Sequence, residues 1–237
     1  MSAERSAGSA LYRLLAWLSP SFPIGAFSYS HGLEAAAASS DVRDRASLES
    51  WIVAMVIHGS GRMDVDILRD AYRAALAGDN AGLADVNRRG LAYRAAAELA
   101  LESGQQGDAF LAAWRGAWVA PHLAATGGGG APSATPGEGV CLPAVFGAAA
   151  AQAGIALEDA LLGYLQAFAA NLMSAGLRLG TTGQTDGQRI LAALEPVVTA
   201  AAEAALSRDP SDFGSATFAA DLASMAHEAQ YSRLFRS

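Results

Sequence analysis

The sequence predicts an all-α protein built as a single-domain helical bundle, and three observations carry that expectation. Apolar residues recur at the 3.6-residue helical period along most of the chain. No segment shows the period-two alternation of a half-buried strand. Apolar residues fill 52% of the 237 positions and charged ones only 16%, enough for a sizeable core.

Residues 9–19 read as a short amphipathic helix with Leu11, Leu14, Leu15 and Leu18 at helical spacing. The stretch Ser19–Glu34 follows, Ser-Pro-Ser-Phe-Pro-Ile-Gly-Ala-Phe-Ser-Tyr-Ser-His-Gly-Leu-Glu. Pro20 and Pro23 keep Ser19 and Phe22 out of the helical region, and Gly25 permits a turn. Phe22, Ile24, Phe27 and Tyr29 load this segment with apolar bulk. It reads either as a connection pinned into the core or as a docking surface of aromatic anchors on a proline-framed loop. Ser28 or Ser30 can cap the helix through Ala35–Ala38, which ends near Asp41.

Ser47 reads as the N-cap of the next helix, with Glu49 well placed for its dipole and Trp51, Met55 and Val56 as its apolar face. Gly59 and Gly61 break or bend the chain near Arg62. Ile67, Leu68, Tyr72 and Leu76 carry the helical period through 64–77, and Gly78-Asp79-Asn80 reads as a turn. A long helical region over 83–118 is interrupted around Gly104–Gly107. The tract from Gly127 to Gly139 has flexible-linker chemistry and reads as a mobile loop, about 126–139, inside one domain.

Residues 140–153 form a small-residue helix. Residues 157–179 form the most apolar helix of the chain, suited to the middle of a bundle. Thr185 and Gln188 fit a capping box for a helix to about Ser207, which Pro196 should kink. A last helix spans about 218–228, before a tail of about 228–237.

Net charge is −7, so a broad nucleic-acid footprint is not expected; all sixteen basic residues are arginine, a composition on which no function is built. Cys141 is the only cysteine, which excludes an intramolecular disulfide and a cysteine-based zinc cluster. The first residues lack a signal-type apolar run, and polar residues interrupt every stretch of about 18, so no membrane span is expected. Cytoplasmic residence follows as the default.

Candidate chemistry is sparse. His31 and Glu34 stand three apart on one helical face, a spacing metal ligands use, but no motif closes a coordination sphere around them. His31 is the weak candidate for a transient metal contact. A helical metal-dependent enzyme using His31, Glu34, His58 and Asp64 is the competing reading, and a free-standing metal carrier a third. Neither a nucleophile elbow nor a Walker A lysine is present, so neither catalysis nor unaided nucleotide hydrolysis is expected. Asn171, Ser174 and Arg178 make a polar stripe on the apolar helix, either a hydrogen-bond network or the wet wall of a passage. In the tail, Tyr231, Arg233, Leu234, Phe235 and Arg236 alternate bulk with guanidinium groups, as partner-binding segments do.

Three blocks carry a family resemblance. The first is Ser19–Glu34. The second is Leu177-Arg178-Leu179 followed by Gly183-Gln184-Thr185-Asp186-Gly187-Gln188-Arg189. The third is the tail from His227 to Ser237. In this order and spacing they resemble the urease accessory protein UreF family over nearly the whole chain. The resemblance implies a non-catalytic homodimer with no resident cofactor. It implies that the chain joins the scaffold protein UreD (also called UreH) to the GTPase UreG, in a complex that handles nickel transiently and delivers it to apo-urease. Phe27 and Tyr29 join the tail as partner-binding candidates. The chain departs from the family pattern at Gly180-Thr181-Thr182, at Ala229 and in the glycine tract.

Overall fold

The computed structural model describes residues 2–119 and 139–237, and side chains from residue 8 onward. Among these the helices are α1 (Ser2–Trp17), α2 (Leu33–Ala38), α3 (Arg45–Ile57), α4 (Ser60–Ala77), α5 (Asn80–Ala92) and α6 (Ala97–Ala117). They continue with α7 (Leu142–Ala153), α8 (Leu157–Arg178), α9 (Gln184–Ser207) and α10 (Phe218–Glu228). Two 3₁₀ turns, Ala26–Ser28 and Pro210–Asp212, complete the described elements, and no strand occurs among them. The all-α expectation holds. The expected loop at 126–139, with its Gly127–Gly130 tract, lies outside the described residues apart from Gly139.

Several boundaries differ from the sequence reading, each for a physical reason. The first helix starts at Ser2, not near residue 9. Asp44, not Ser47, caps α3: its carboxylate accepts the Ser47 N–H at 2.9 Å while the Ser47 hydroxyl accepts the Asp44 N–H at 3.1 Å. This is a reciprocal capping box with serine in the third position. The helical region after residue 83 breaks at Tyr93–Ala96 and runs unbroken through Gly104–Gly107. Glu228, at the end of α10, receives the Ala97 N–H at 2.8 Å and so caps α6 from far along the chain. At α9 the cap is Gly183, with no side-chain cap bond, so the Thr185–Gln188 box is not formed. The departure at Gly180-Thr181-Thr182 has a local role. Gly180 takes φ +75°, its N–H reaches Leu177 O, and the Thr181 N–H reaches Gly176 O, a Schellman closure of α8.

The chain divides into two compact units, to both of which α4, α6 and α8 contribute residues. Unit 1 comprises 1–25, 64–93 and 103–163. Its core is aromatic: Trp17 meets Phe110 and Phe146 edge-on, with ring centroids 5.8 and 6.3 Å apart, and Phe22 packs on Phe110 at 5.1 Å. Phe22 thus anchors the first half of the opening stretch. The start of α7 is fixed by polar groups, because Asn87 accepts the Cys141 N–H at 2.8 Å and donates to Gly139 O at 3.2 Å. Asp108 accepts the Val140 N–H at 3.1 Å. Buried Arg69 pairs with Asp66 at 3.3 Å and with Asp70 at 2.8 Å.

Unit 2 comprises 26–63, 94–102 and 164–237. Here α9 packs on α3 and α10 on α2. Gly32, at φ +75°, is required where α2 meets α10, since a Cβ there would lie 2.7 Å from Ser224 Oγ and 2.8 Å from Ser224 N. By length and composition α8 and α9 could cross a membrane. In α8, 56% of the most apolar window is buried within the protein, as in a core helix. The exposed side of α9 alternates alanines with Glu195 and Glu203, carboxylates that hydrocarbon disfavours.

Two glycines of α6 make a test. A Cβ on Gly107 would lie 1.7 Å from the Val140 carbonyl oxygen, whereas one on Gly104 would meet nothing within 4 Å. Gly107→Ala should therefore cost at least about 2 kcal/mol through backbone displacement. Gly104→Ala should gain up to about 1 kcal/mol of helix propensity. Thermal melting of the two variants beside the parent checks both signs, and equal melting temperatures would contradict this packing.

Candidate functional site: a docked C-terminal tail

Unit 2 gathers the tail, the second half of the opening stretch and the end of α8 around one buried carboxylate. His31, at φ +54°, and Gly32 turn the chain through the left-handed region before α2 begins. That turn presents Glu34, in the first turn of α2, to the end of α10. Glu34 Oε1 accepts the Leu234 N–H at 2.6 Å, and Oε2 accepts the Phe235 N–H at 2.8 Å. His227 Nε2 stands 3.1 Å from the same Oε2. Burial pushes the Glu34 carboxyl up. The Leu234 N–H, the His227 ring and the Phe235 N–H outweigh it and hold the group below the ordinary glutamate range.

His227 is fully buried, and its other ring nitrogen lies 2.6 Å from Glu98 Oε2 on α6. Arg233 in the tail donates to the second oxygen of Glu98. One turn on, Glu102 pairs with His31 at 3.1 Å and accepts the Ser237 hydroxyl proton at 2.8 Å. Backbone bonds finish the docking: the Ser30 N–H donates to Ser237 O at 2.8 Å, and the Arg236 N–H to Ser28 O at 2.8 Å. The Ser30 hydroxyl also accepts the Glu34 N–H at 3.3 Å, so it serves the first turn of α2 although Gly32 is the N-cap.

Arg178 joins the three blocks directly. Its guanidinium lies between two rings, 4.1 Å from the centroid of Phe27 and 4.3 Å from that of Phe235. It also donates to Phe27 O and, through Nε, to Ser174 O at 3.3 Å. Such a flat cation between aromatic faces is a stacking arrangement that lysine cannot reproduce. Asn171 donates to Tyr29 O at 3.3 Å. The polar stripe on α8 therefore holds backbone carbonyls of the opening stretch.

The candidate residues fall into two groups. Tyr29 and Phe235 are buried, whereas Phe27, Tyr231, Arg233, Leu234 and Arg236 are exposed, Tyr231 fully. Phe218, Leu222 and Met225 add an exposed apolar stripe on α10. His31 and Glu34 are engaged with Glu102 and His227. His58 is exposed and ends α3, and Asp64 is buried in unit 1. Among the described residues no group of three or more His, Cys, Asp or Glu is arranged to hold a metal ion. Sequence reasoning missed Glu98, Glu102 and Glu228. A signal existed for the first two, carboxylates four apart on one face of a helix otherwise rich in alanine and leucine.

Comparison with known proteins supplies a second line. The sequence model of the UreF family matches residues 42–195. A urease accessory protein UreF of Rhodopseudomonas palustris (strain HaA2) is 48% identical over 237 residues, covering 100% of this chain and 97% of that protein. The namesake from Azorhizobium caulinodans is 47% identical over 235 residues, 99% of each chain. That of Bradyrhizobium sp. (strain ORS 278) is 46% identical over 229 residues, 97% of this chain and 92% of the relative. The matched family region stops short of the opening stretch and of the tail, but the full-length relatives span both.

Glu34→Gln leaves one oxygen for three donors, and should cost about 2 kcal/mol at neutral pH, the scale of hydrogen bonds to a charged group. A carboxyl held below its ordinary range stabilises the fold fully above about pH 4.3 and loses that contribution as pH falls through its folded-state value. The stability gap between parent and variant should therefore narrow below about pH 4.3, where Glu34 itself takes up a proton. Urea denaturation from pH 5 to pH 3 measures it, and a gap that widens over that range would contradict the assignment.

Proposed function

The chain belongs to the UreF family of urease accessory proteins, and from that membership we propose that it serves urease maturation as a bridging subunit. In this reading it joins a UreD/UreH-type scaffold to a UreG-type GTPase as a cytoplasmic homodimer. It couples the GTPase cycle to delivery of nickel into apo-urease, with nickel as cargo rather than resident cofactor. The observation that carries the reading is the convergence of the three blocks at Glu34 and Arg178. Buried residues there hold the tail in place, Tyr231 and Leu234 stand outward from the held segment, and Phe27 keeps an exposed edge beside it. Rigid aromatic and aliphatic anchors on a pre-ordered backbone favour protein recognition, since little entropy is lost on docking.

The metal-enzyme reading has less to stand on. Two of its four residues, His31 and Glu34, are committed to internal carboxylate and ring partners. With no lysine anywhere, a phosphate loop of the Walker type is absent, so GTP hydrolysis is assigned to the partner.

Co-expression with urease and its accessory set, followed by affinity capture and urease assay, tests the proposal. The parent chain should capture the scaffold, and the GTPase only when the scaffold is present. Leu234→Asp and Tyr231→Ala should lower capture at least about tenfold with unchanged melting temperature, as loss of interface anchors does. Arg233→Ala should reduce capture more than Arg236→Ala, because Arg233 also fixes the tail through Glu98. Equal capture by all four variants, or GTP hydrolysis by the isolated chain, would overturn the reading.

A further inference from the structure

The tail is held by a charge cluster whose balance depends on protons. Three buried or half-buried carboxylates, Glu34, Glu98 and Glu102, face one guanidinium, Arg233, and two imidazoles, His31 and His227. Among these six groups the charges balance when both rings carry their second proton. The requirement is sharpest at His227, which has no exposure to water and a carboxylate oxygen against each ring nitrogen. A neutral imidazole donates from one nitrogen only, so it can satisfy Glu34 or Glu98 but not both. The other contact then sets a ring lone pair against a carboxylate, at low dielectric and without water to intervene.

We propose that His227 is a proton-operated latch: with both ring nitrogens protonated it locks Glu34 and Glu98 onto the tail, and loss of one proton releases residues 231–237. The mechanism runs through geometry. Glu34 is the acceptor for the Leu234 and Phe235 amides, and Glu98 is the acceptor for Arg233, so the two carboxylates that grip the ring also grip the tail. When the ring withdraws a donor, one carboxylate must turn toward water. Its tail contacts break with it, and Phe235 leaves its place against Arg178. The groups facing the ring are Glu34 from α2, Glu98 from α6 and, through Glu98, Arg233 from the tail. Glu228, its neighbour on α10, points to the Ala97 and Glu98 N–H groups instead. His31 and Glu102 form a second, parallel pair that meets the tail at Ser237.

The test uses the full chain, labelled for NMR. Hydrogen exchange of the Leu234 and Phe235 amides is followed against pH, corrected for intrinsic exchange, while the His227 ring resonances report its titration. Protection of both amides should fall at least about tenfold as the ring loses its second proton, the effect of a lost charge-assisted hydrogen bond. The two midpoints should coincide. In His227→Gln the amides should be weakly protected at every pH, with no step, whereas His31→Gln should retain the step. A His227 ring that keeps one charge state between pH 5 and pH 9 would overturn the latch. So would amide protection that is flat across the ring's titration, or a step that survives in His227→Gln. Should His227→Gln fail to fold, coincidence or separation of the two midpoints in the parent chain decides the matter alone.

Discussion

A carboxylate out of water has to be satisfied, and in this protein that constraint falls on Glu34. Its two oxygens receive two backbone N–H groups and a histidine ring, drawn from segments about two hundred residues away in sequence. Leaving such a group unpaired would cost several kcal/mol, so the constraint fixes the register of everything that serves it. The end of α10 must bring His227 within reach, and the tail must turn back along the opening stretch. The left-handed turn at His31 and Gly32 aims α2 so that the carboxylate faces inward. Arg178 adds a second clamp of different physics, a cation between two rings, and it draws on the same three blocks.

The tail thereby divides its residues by task. Backbone amides of 234–236 and the Phe235 ring face inward and are held by the chain itself, and the exposed Arg233 is tied back to Glu98. Tyr231 and Leu234 face outward from the same short segment. Ordering the backbone before any encounter removes an entropic cost that a frayed terminus would meet on binding. The exposed stripe of Phe218, Leu222 and Met225 on α10 extends the apolar character of this region.

Periodicity was enough to find most of the helices, because burial of one face per helix writes itself into local sequence. Capping was less legible. Asp44 and Ser47 exchange hydrogen bonds, so from sequence either can look like the cap. The break at residues 93–96 was invisible, since no breaker stands there and the cap of α6 comes from Glu228 by tertiary contact. Gly104 and Gly107 suggested a break that packing does not require, because Gly107 is small to let Val140 approach. For the site, the three blocks were legible as a family pattern, and the interface residue types in the tail stood out. What could not be read was that Glu34 and His31 have internal partners. Their partners are His227 and Glu102, and the Glu98 that meets the far side of the His227 ring lies with Glu102 in the middle of the sequence, where neither carries a motif.

The distant capping of α6 bears on the order in which the molecule can be completed during synthesis. Every segment of unit 1 has been made once residue 163 is made. Unit 2 is different: Glu34 and the N-terminus of α6 wait for His227, Glu228 and the tail. Until then a buried acid and an uncapped helix end stay open to solvent and to other chains. A ribosome-bound chain would thus carry one finished unit and one held open by its missing final segment. Damage to that segment would act like an interruption of synthesis.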